Sequence, residues 1–275
     1  MTHTLHTTAS FWNSLIVTGQ WDYEHKPELR SYLESEELRV LAQKIGQDVI
    51  IVLGGDGAML TAIDAFRERE LPFFGINFGT IGYLMHPRQI LADAQQFETT
   101  VHPLLKAQIT SGDRITDHYA FGDIYMTPVQ GWWMCMYDVS VSQSNWSKIG
   151  AEDVLSSGVI LATPAGSTGF SGNLGADILP LESDQFVLTH IAAPRARHLS
   201  PVQIPSTDEI SIVAKQLARR PVLVYTDGRV IYESWSRDLS ITVRKAKKSV
   251  HILIADTHHD TWHTRSLRDD WYSIL

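Results

Sequence analysis

The chain has 275 residues, 44% hydrophobic, 9% aromatic and 20% charged, which excludes disorder, collagen-like repeats and a disulfide-stapled miniprotein. Lysine and arginine number 23 against 31 acidic residues, a net charge of −8 with histidine neutral, so nothing suggests wrapping nucleic acid by charge. No run reaches the ~18 apolar residues of a membrane helix, and the single cysteine, Cys135, has no partner for a disulfide within the chain. These features point to a cytoplasmic protein with neither membrane nor nucleic-acid partners.

In chain order, Met1 to Ser10 is rich in Thr and His without an apolar core, and reads as a loose arm rather than a signal peptide. Ser14 to Thr18 is a short apolar strand. Glu36 to Ile45 is a helix, with Leu38, Leu41 and Ile45 at three-to-four spacing. Asp48 to Leu53 is a continuous β-branched and apolar run, the pattern of a strand buried on both faces in a parallel sheet. It ends in Gly54-Gly55-Asp56-Gly57. A helix follows from Ala58 to about Arg69, Pro72 breaks it, and Phe73 to Ile76 is the next strand. Strand, glycine loop, helix and strand make a βαβ unit.

The periodicity changes near residue 101. Short segments separated by turn residues then follow: Arg114 to Tyr119, Trp132 to Ser142, Gly158 to Thr163, Phe186 to Ile191, Glu209 to Ala214, Pro221 to Tyr225, Leu239 to Arg244 and Val250 to Ile254. Arg244-Lys245-Ala246-Lys247-Lys248 reads as a solvated hairpin turn between the last two. The fold class expected is α/β plus all-β, an N-terminal Rossmann-like α/β domain with a C-terminal β-sandwich domain, the boundary near residue 100.

Three loops carry chemistry. Gly54-Gly55-Asp56-Gly57 lies at the carboxyl end of a buried strand, where open α/β sheets bind ligands. Its glycines let the backbone approach a ligand, and the helix N-terminus suits phosphate. A carboxylate there would repel a bare phosphate, so it suits a magnesium ion or the proton of an attacking hydroxyl; a helix-capping aspartate in a turn is the other reading. Gly75-Ile76-Asn77-Phe78-Gly79-Thr80-Ile81-Gly82-Tyr83-Leu84 follows the next strand and emerges at the same sheet edge. Thr163-Pro164-Ala165-Gly166-Ser167-Thr168-Gly169-Phe170-Ser171 offers hydroxyls to a ribose or phosphate and a ring to a base; as a free-standing loop it is also compatible with plain turn chemistry.

In this order the three motifs resemble those of the NAD kinase family: a GGDG with a hydrophobic pair at Gly54 to Leu60, an Asn-x-Gly-x-x-Gly-aromatic-Leu at Asn77 to Leu84, and a Thr-Pro-x-Gly-Ser-Thr-Ala-Tyr-Ser with two changes at Thr163 to Ser171. Arg220-Pro221, Asp227-Gly228 and Leu267-Arg268 also fall where the family has similar residues, so the likeness runs from about residue 45 to the end. It implies transfer of the terminal phosphoryl group of ATP, or of polyphosphate, to the adenosine 2′-hydroxyl of NAD, assisted by Mg2+. Asp56 would be the catalytic carboxylate. The nucleotide-binding set it implies is Gly54, Gly55, Gly57, Leu60, Asn77, Gly79, Gly82, Tyr83, Gly122, Asp123, Thr163, Ser167, Thr168, Gly169, Phe170, Asn173 and Asp227; no metal ligand set is implied. The family also implies a homodimer or homotetramer, and a C-terminal stretch of about 255–275 that returns to the first domain (1–100), leaving 101–254 as the β-rich nucleotide-binding domain.

The departures cluster in the recognition shell. Gly122-Asp123 stands where the family has Asn-Glu, Leu155-Ser156-Ser157-Gly158 where it has Arg-x-Asp-Gly, Gly169-Phe170 where it has Ala-Tyr, and Gly175-Ala176-Asp177 where it has Gly-Gly-Pro. The alternatives are therefore a kinase-fold protein with an altered nucleotide acceptor, or a non-catalytic dinucleotide-binding sensor. Other conspicuous residues read blandly. His258, His259 and His263 near Asp256 and Asp260 are solvated rather than metal-binding, Cys135 is a buried thiol in a packed strand, and Asp227-Gly228 is a turn or a contact to the acceptor.

Overall fold

Ile50–Gly54 (β3) is buried at every position, as its unbroken apolar run requires of a strand covered on both faces. The computed structural model describes residues 5–11, 14–19, 27–131, 133–142, 150–193, 201–235 and 238–258. They divide into two compact units, Met1–His102 with Ser249–Leu275, and Pro103–Lys248.

In the first unit β3 runs parallel to Ser14–Gly19 (β2) on one side and to Phe73–Asn77 (β4) on the other. Ile252, in the second half of Leu239–Ala255 (β16), pairs parallel with Phe73. The first helices are Pro27–Leu33 (α1) and Glu36–Ile45 (α2). In α2 the expected stripe of Leu38, Leu41 and Ile45 is buried, each such side chain contributing about 1.5–3 kcal/mol. Ser35 caps it by accepting the Leu38 N–H at 3.2 Å, and Gly46 ends it at φ 64°. Asp56–Phe66 (α3) continues as a single 3₁₀ turn through Arg69. The core of the unit joins Leu29 and Leu38 to Ile51, Leu53, Phe74 and Leu253.

The N-terminal arm is a strand. Leu5–Phe11 (β1) pairs antiparallel with β2, from Leu5 opposite Gly19 to Phe11 opposite Ser14. Backbone pairing needs no apolar side-chain run, so the composition of this segment hid it.

The second unit is an antiparallel sandwich. One sheet has the order β12-β11-β10-β7-β14-β15, formed by Val202–Pro205, Gln185–Ile191, Gly158–Ala162, Asp123–Pro128, Val222–Thr226 and Arg229–Ser234. The other places Gly150–Ser156 (β9), Cys135–Ser142 (β8), Glu209–Lys215 (β13) and the first half of β16 side by side. Phe97–Ser111 (β5) pairs with β16 and with Arg114–Ala120 (β6). Inward residues of both sheets form one core, including Ile109, Tyr137, Leu161, Phe186, Val224 and Ile241. The fold is thus α/β in the first unit and β-sandwich in the second, as the periodicity implies.

The hairpin expected at Arg244 to Lys248 does not form, because β16 runs unbroken from Leu239 to Ala255. The segment holds no Gly, Pro, Asn or Asp to make a turn. Its four cations are exposed while Ala246 is buried, so a charge run here marks a stretch of a long strand that is solvated on both faces. Strand β8 begins at Cys135, and Trp132 lies outside the described residues, as do His259, Asp260, His263, Leu267 and Arg268. His258 closes a 3₁₀ turn, Asp256–His258.

Candidate functional site

In the first unit, Gly55 is the N-cap of α3 and Asp56 its first helical residue. The Asp56 side chain reaches the backbone of the second motif. Its Oδ2 accepts the Tyr83 N–H at 2.9 Å and its Oδ1 the Leu84 N–H at 2.7 Å. The carboxylate thus ties the first glycine motif to the second. It is half-buried, while Gly57 and Gly79 are exposed, Gly54 and Gly82 are buried, and Leu60 and Asn77 lie between.

The spacing of the second motif follows from sterics. Asn77 closes the loop on itself, its Oδ1 accepting the Gly79 N–H at 2.7 Å and its Nδ2 donating to the Ile81 carbonyl at 3.1 Å. Gly82 sits at φ 74°, and a Cβ there would meet Asn77 Nδ2 at 2.4 Å, so both backbone angle and space require glycine. Gly79 packs on the first motif, where an added Cβ would lie 2.9 Å from the Gly55 Cα. The Phe78 N–H also donates to the Gly54 carbonyl at 2.7 Å. The Arg88 guanidinium lies 4.5 Å over the Phe78 ring, adding a positive charge behind the loop.

In the second unit, Asp227 and Gly228 are the central residues of a two-residue hairpin, at φ 47° and 77°. The turn also holds another loop. Asp227 Oδ2 accepts from the Phe121 N–H at 2.9 Å, and its Oδ1 from Gly122 at 2.7 Å and Asp123 at 3.1 Å. Both acids titrate high. Burial, then the negative charge of Asp227, pushes the Asp123 carboxyl up to about 7. Burial also raises Asp227, against the three amide hydrogen bonds that favour its charged form.

Asp123 and Tyr125 face the same side of β7, two residues apart. Tyr125 stacks on Tyr225 at 4.4 Å and 12°, and Phe170 meets Tyr125 edge-on at 5.5 Å. Burial, reinforced by Asp123, pushes the Tyr125 phenol up to about 12, so it stays neutral. Phe170, 37% exposed, and the exposed Gly169 and Asn173 form the open side of the third motif. Thr163 and Ser167 point the other way. Both are fully buried, Thr163 donating to the Phe121 carbonyl at 2.7 Å, and Ser167 donating to Pro164 at 2.7 Å and accepting the Leu179 N–H at 2.9 Å. Thr168 Oγ1 donates back to Ala165 at 3.2 Å. These hydroxyls shape the loop.

Ser156, in the Leu155–Gly158 departure, is likewise fully buried and exchanges a 2.8 Å hydrogen bond with the Tyr137 hydroxyl inside the sandwich. Cys135 is a buried free thiol, its pKa pushed up to about 12 by burial, which makes it inert. Sequence reasoning missed the Tyr125–Tyr225 stack, although the period of two beside Asp123 and Asp227 carried the signal. It also missed the amide partners of Asp56, for which no local signal exists.

A glycine-flanked carboxylate at the mouth of a buried parallel strand, joined in one chain to a β-sandwich with an acid-flanked aromatic platform, defines a nucleotide-phosphate-handling protein of the α/β plus β-sandwich class. Residues 3–108 match the family model of the ATP-NAD kinase N-terminal domain and residues 122–254 that of the ATP-NAD kinase C-terminal domain; the chain belongs to the ATP-NAD kinase family. An NAD kinase of Cereibacter sphaeroides is 29% identical over 240 residues, covering 82% of this chain and 89% of its own. One of Rickettsia canadensis is 30% identical over 251 residues, covering 86% and 87%. Among solved structures, yeast NADH kinase complexed with NADH superposes with a TM-score of 0.68 at 18% identity, covering 86% of this chain and 69% of that one. An NAD kinase from Archaeoglobus fulgidus in complex with ATP gives 0.60 at 20% identity, covering 89% and 95%. At those identities the structural likeness is one of fold.

Proposed function

We propose that this chain transfers the terminal phosphoryl group of ATP, or of polyphosphate, to the adenosine 2′-hydroxyl of NAD, giving NADP. The observation that carries this reading is the Asp56 carboxylate, held by one amide on each oxygen in a glycine-lined bend at a helix N-terminus. Held so, it orients the 2′-hydroxyl and accepts its proton as the new O–P bond forms. The bond to the donor's bridging oxygen breaks, and the nucleoside diphosphate or shortened polyphosphate leaves with that electron pair. Such transfers rest mostly on positioning and charge neutralisation. The glycines of the first motif and the α3 N-terminus suit the phosphates.

Mg2+ is commonly held by one or two carboxylates together with substrate phosphates. Asp56, a half-buried carboxylate at the α3 N-terminus beside the glycine loops, fits that need; when bound, the ion would neutralise phosphate charge. In this reading residues 1–100 with about 255–275 carry the phosphate chemistry and 101–254 the nucleoside. The Tyr125, Tyr225 and Phe170 rings offer a base a face, and Asp123 offers a ribose hydroxyl an acceptor. We further place the protein in the cytoplasm as a homodimer or homotetramer, a state that light scattering of the purified chain tests.

The decisive experiment is Asp56→Asn with Mg-ATP and NAD. NADP formation should fall by at least about 100-fold, the size of a lost positioned proton acceptor, while circular dichroism stays unchanged. A loss of only a few-fold would show that the carboxylate takes no part in the chemistry.

A further inference from the structure

His86 is fully buried, two residues beyond the Leu84 amide that grips Asp56. Its ring stacks on Phe74 at 4.2 Å and 17°, and both nitrogens are engaged. The Ala255 N–H donates to Nε2 at 3.1 Å, so Nε2 is the bare nitrogen and the proton sits on Nδ1. Nδ1 then donates to the Gly75 carbonyl at 2.8 Å. The main chain of the same residue makes two more links, its N–H to the Gly75 carbonyl at 2.8 Å and its carbonyl accepting the Asn77 N–H at 2.8 Å. His86 thus pins the far end of the second motif to β4 and to the last residue of β16. Asn77 and Gly82 pin the near end. The two amides on Asp56 lie between these anchors.

We propose that His86 is a positioning residue for Asp56: its neutral ring, bridging Gly75 and Ala255, sets where the Tyr83 and Leu84 amides stand and so where the carboxylate points. This rests on the reading of Asp56 as the group that handles the acceptor hydroxyl. The ring touches no substrate; it acts through the loop. A shift of the loop at either anchor swings the carboxylate, and a displacement of about 1 Å at a reacting group costs as much as 100-fold in rate. Gly75 tolerates little adjustment, since a Cβ there would already meet Met85 Sδ at 2.6 Å, Met59 Cε at 2.7 Å and the Leu84 carbonyl at 2.8 Å.

Three substitutions separate the two bridges. His86→Leu removes both. In His86→Asn the amide nitrogen takes the place of Nδ1 and keeps the Gly75 link; in His86→Gln the amide oxygen reaches the place of Nε2 and keeps the Ala255 link. NADP formation is measured well below each variant's melting temperature. For His86→Leu, kcat should fall roughly 10- to 100-fold, with KM for ATP and NAD within about threefold of the parent. His86→Asn and His86→Gln should each recover part of it. A kcat that falls no further than the folded fraction, or a loss carried by KM, overturns the proposal. If His86→Leu fails to fold, parental kcat in both His86→Asn and His86→Gln overturns it equally.

The double variant Asp56→Asn/His86→Gln isolates the coupling. If His86 works through Asp56, adding His86→Gln to Asp56→Asn should lower the residual rate no further. Full additivity refutes the inference while leaving Asp56 catalytic, whereas an Asp56→Asn enzyme that remains active refutes the reading beneath it.

Discussion

Asp227→Ala removes the acceptor of three backbone amides at once, those of Phe121, Gly122 and Asp123. A hydrogen bond to a charged group is worth about 1.5–3 kcal/mol net when isolated. Three on one carboxylate are not additive, so about 3 kcal/mol is a cautious sum. Alanine at φ 47° adds about 1 kcal/mol of left-handed strain. Against this, the raised pKa of Asp227 shows that burying its charge is itself costly, and its removal relieves Asp123, which offsets part of the loss. The net loss is about 3 kcal/mol, which at 1.4 kcal/mol per decade is roughly a 100-fold change in local opening. Amide hydrogen exchange reads this directly. Exchange at residues 121–123 should accelerate about 100-fold in Asp227→Ala. Asp227→Asn keeps the turn and one acceptor oxygen and should accelerate it far less. If exchange at these amides changes less than about threefold in Asp227→Ala, the aspartate does not hold the loop.

The Asp123 carboxyl gives a pH signature. Its native pKa is raised to about 7 by burial and by Asp227. Below about pH 4 both states are protonated and there is no penalty; between about 4 and 7 the unfolded chain ionises first, so native stability falls as pH rises. Asp123→Asn should therefore gain up to about 4 kcal/mol over the parent at pH 8 and nothing at pH 4, read from urea midpoints; a pH-independent difference would contradict the burial argument. In the glycine loops, Gly79→Ala forces a Cβ to 2.9 Å from the Gly55 Cα and should cost about 1–3 kcal/mol. Gly57→Ala, with nothing within 4 Å, should leave thermal stability unchanged or raise it by up to about 1 kcal/mol, and equal destabilisation by both changes would rule out close packing of the two motifs.

Both halves of the architecture were written locally. The apolar run at Ile50–Gly54, the stripe of Glu36–Ile45 and the alternation of Leu239 to Arg244 each report burial through spacing alone, because side-chain direction follows from backbone period. The same logic erred where period and turn chemistry diverged. The cations of Arg244 to Lys248 suggested a turn, yet they belong to a stretch of one long strand that is solvated on both faces, and Leu5–Phe11 forms a strand through backbone pairing that its side chains do not announce.

For the site, the chain by itself determined which chemistry-bearing residues stand at the ends of buried strands: Asp56 just after one, Asn77 closing the next with Gly82 beyond it, and Phe170 beyond a third. Only the folded molecule decided what each of them grips. Asp56 takes the Tyr83 and Leu84 amides 27 and 28 residues away, Asp227 takes three amides more than 100 residues away, and Thr163 and Ser167 turn inward to hold their loop. Hydrogen-bond partners distant in sequence leave no periodic trace, since any backbone amide offers the same donor; sheet register and strand crossings choose among them.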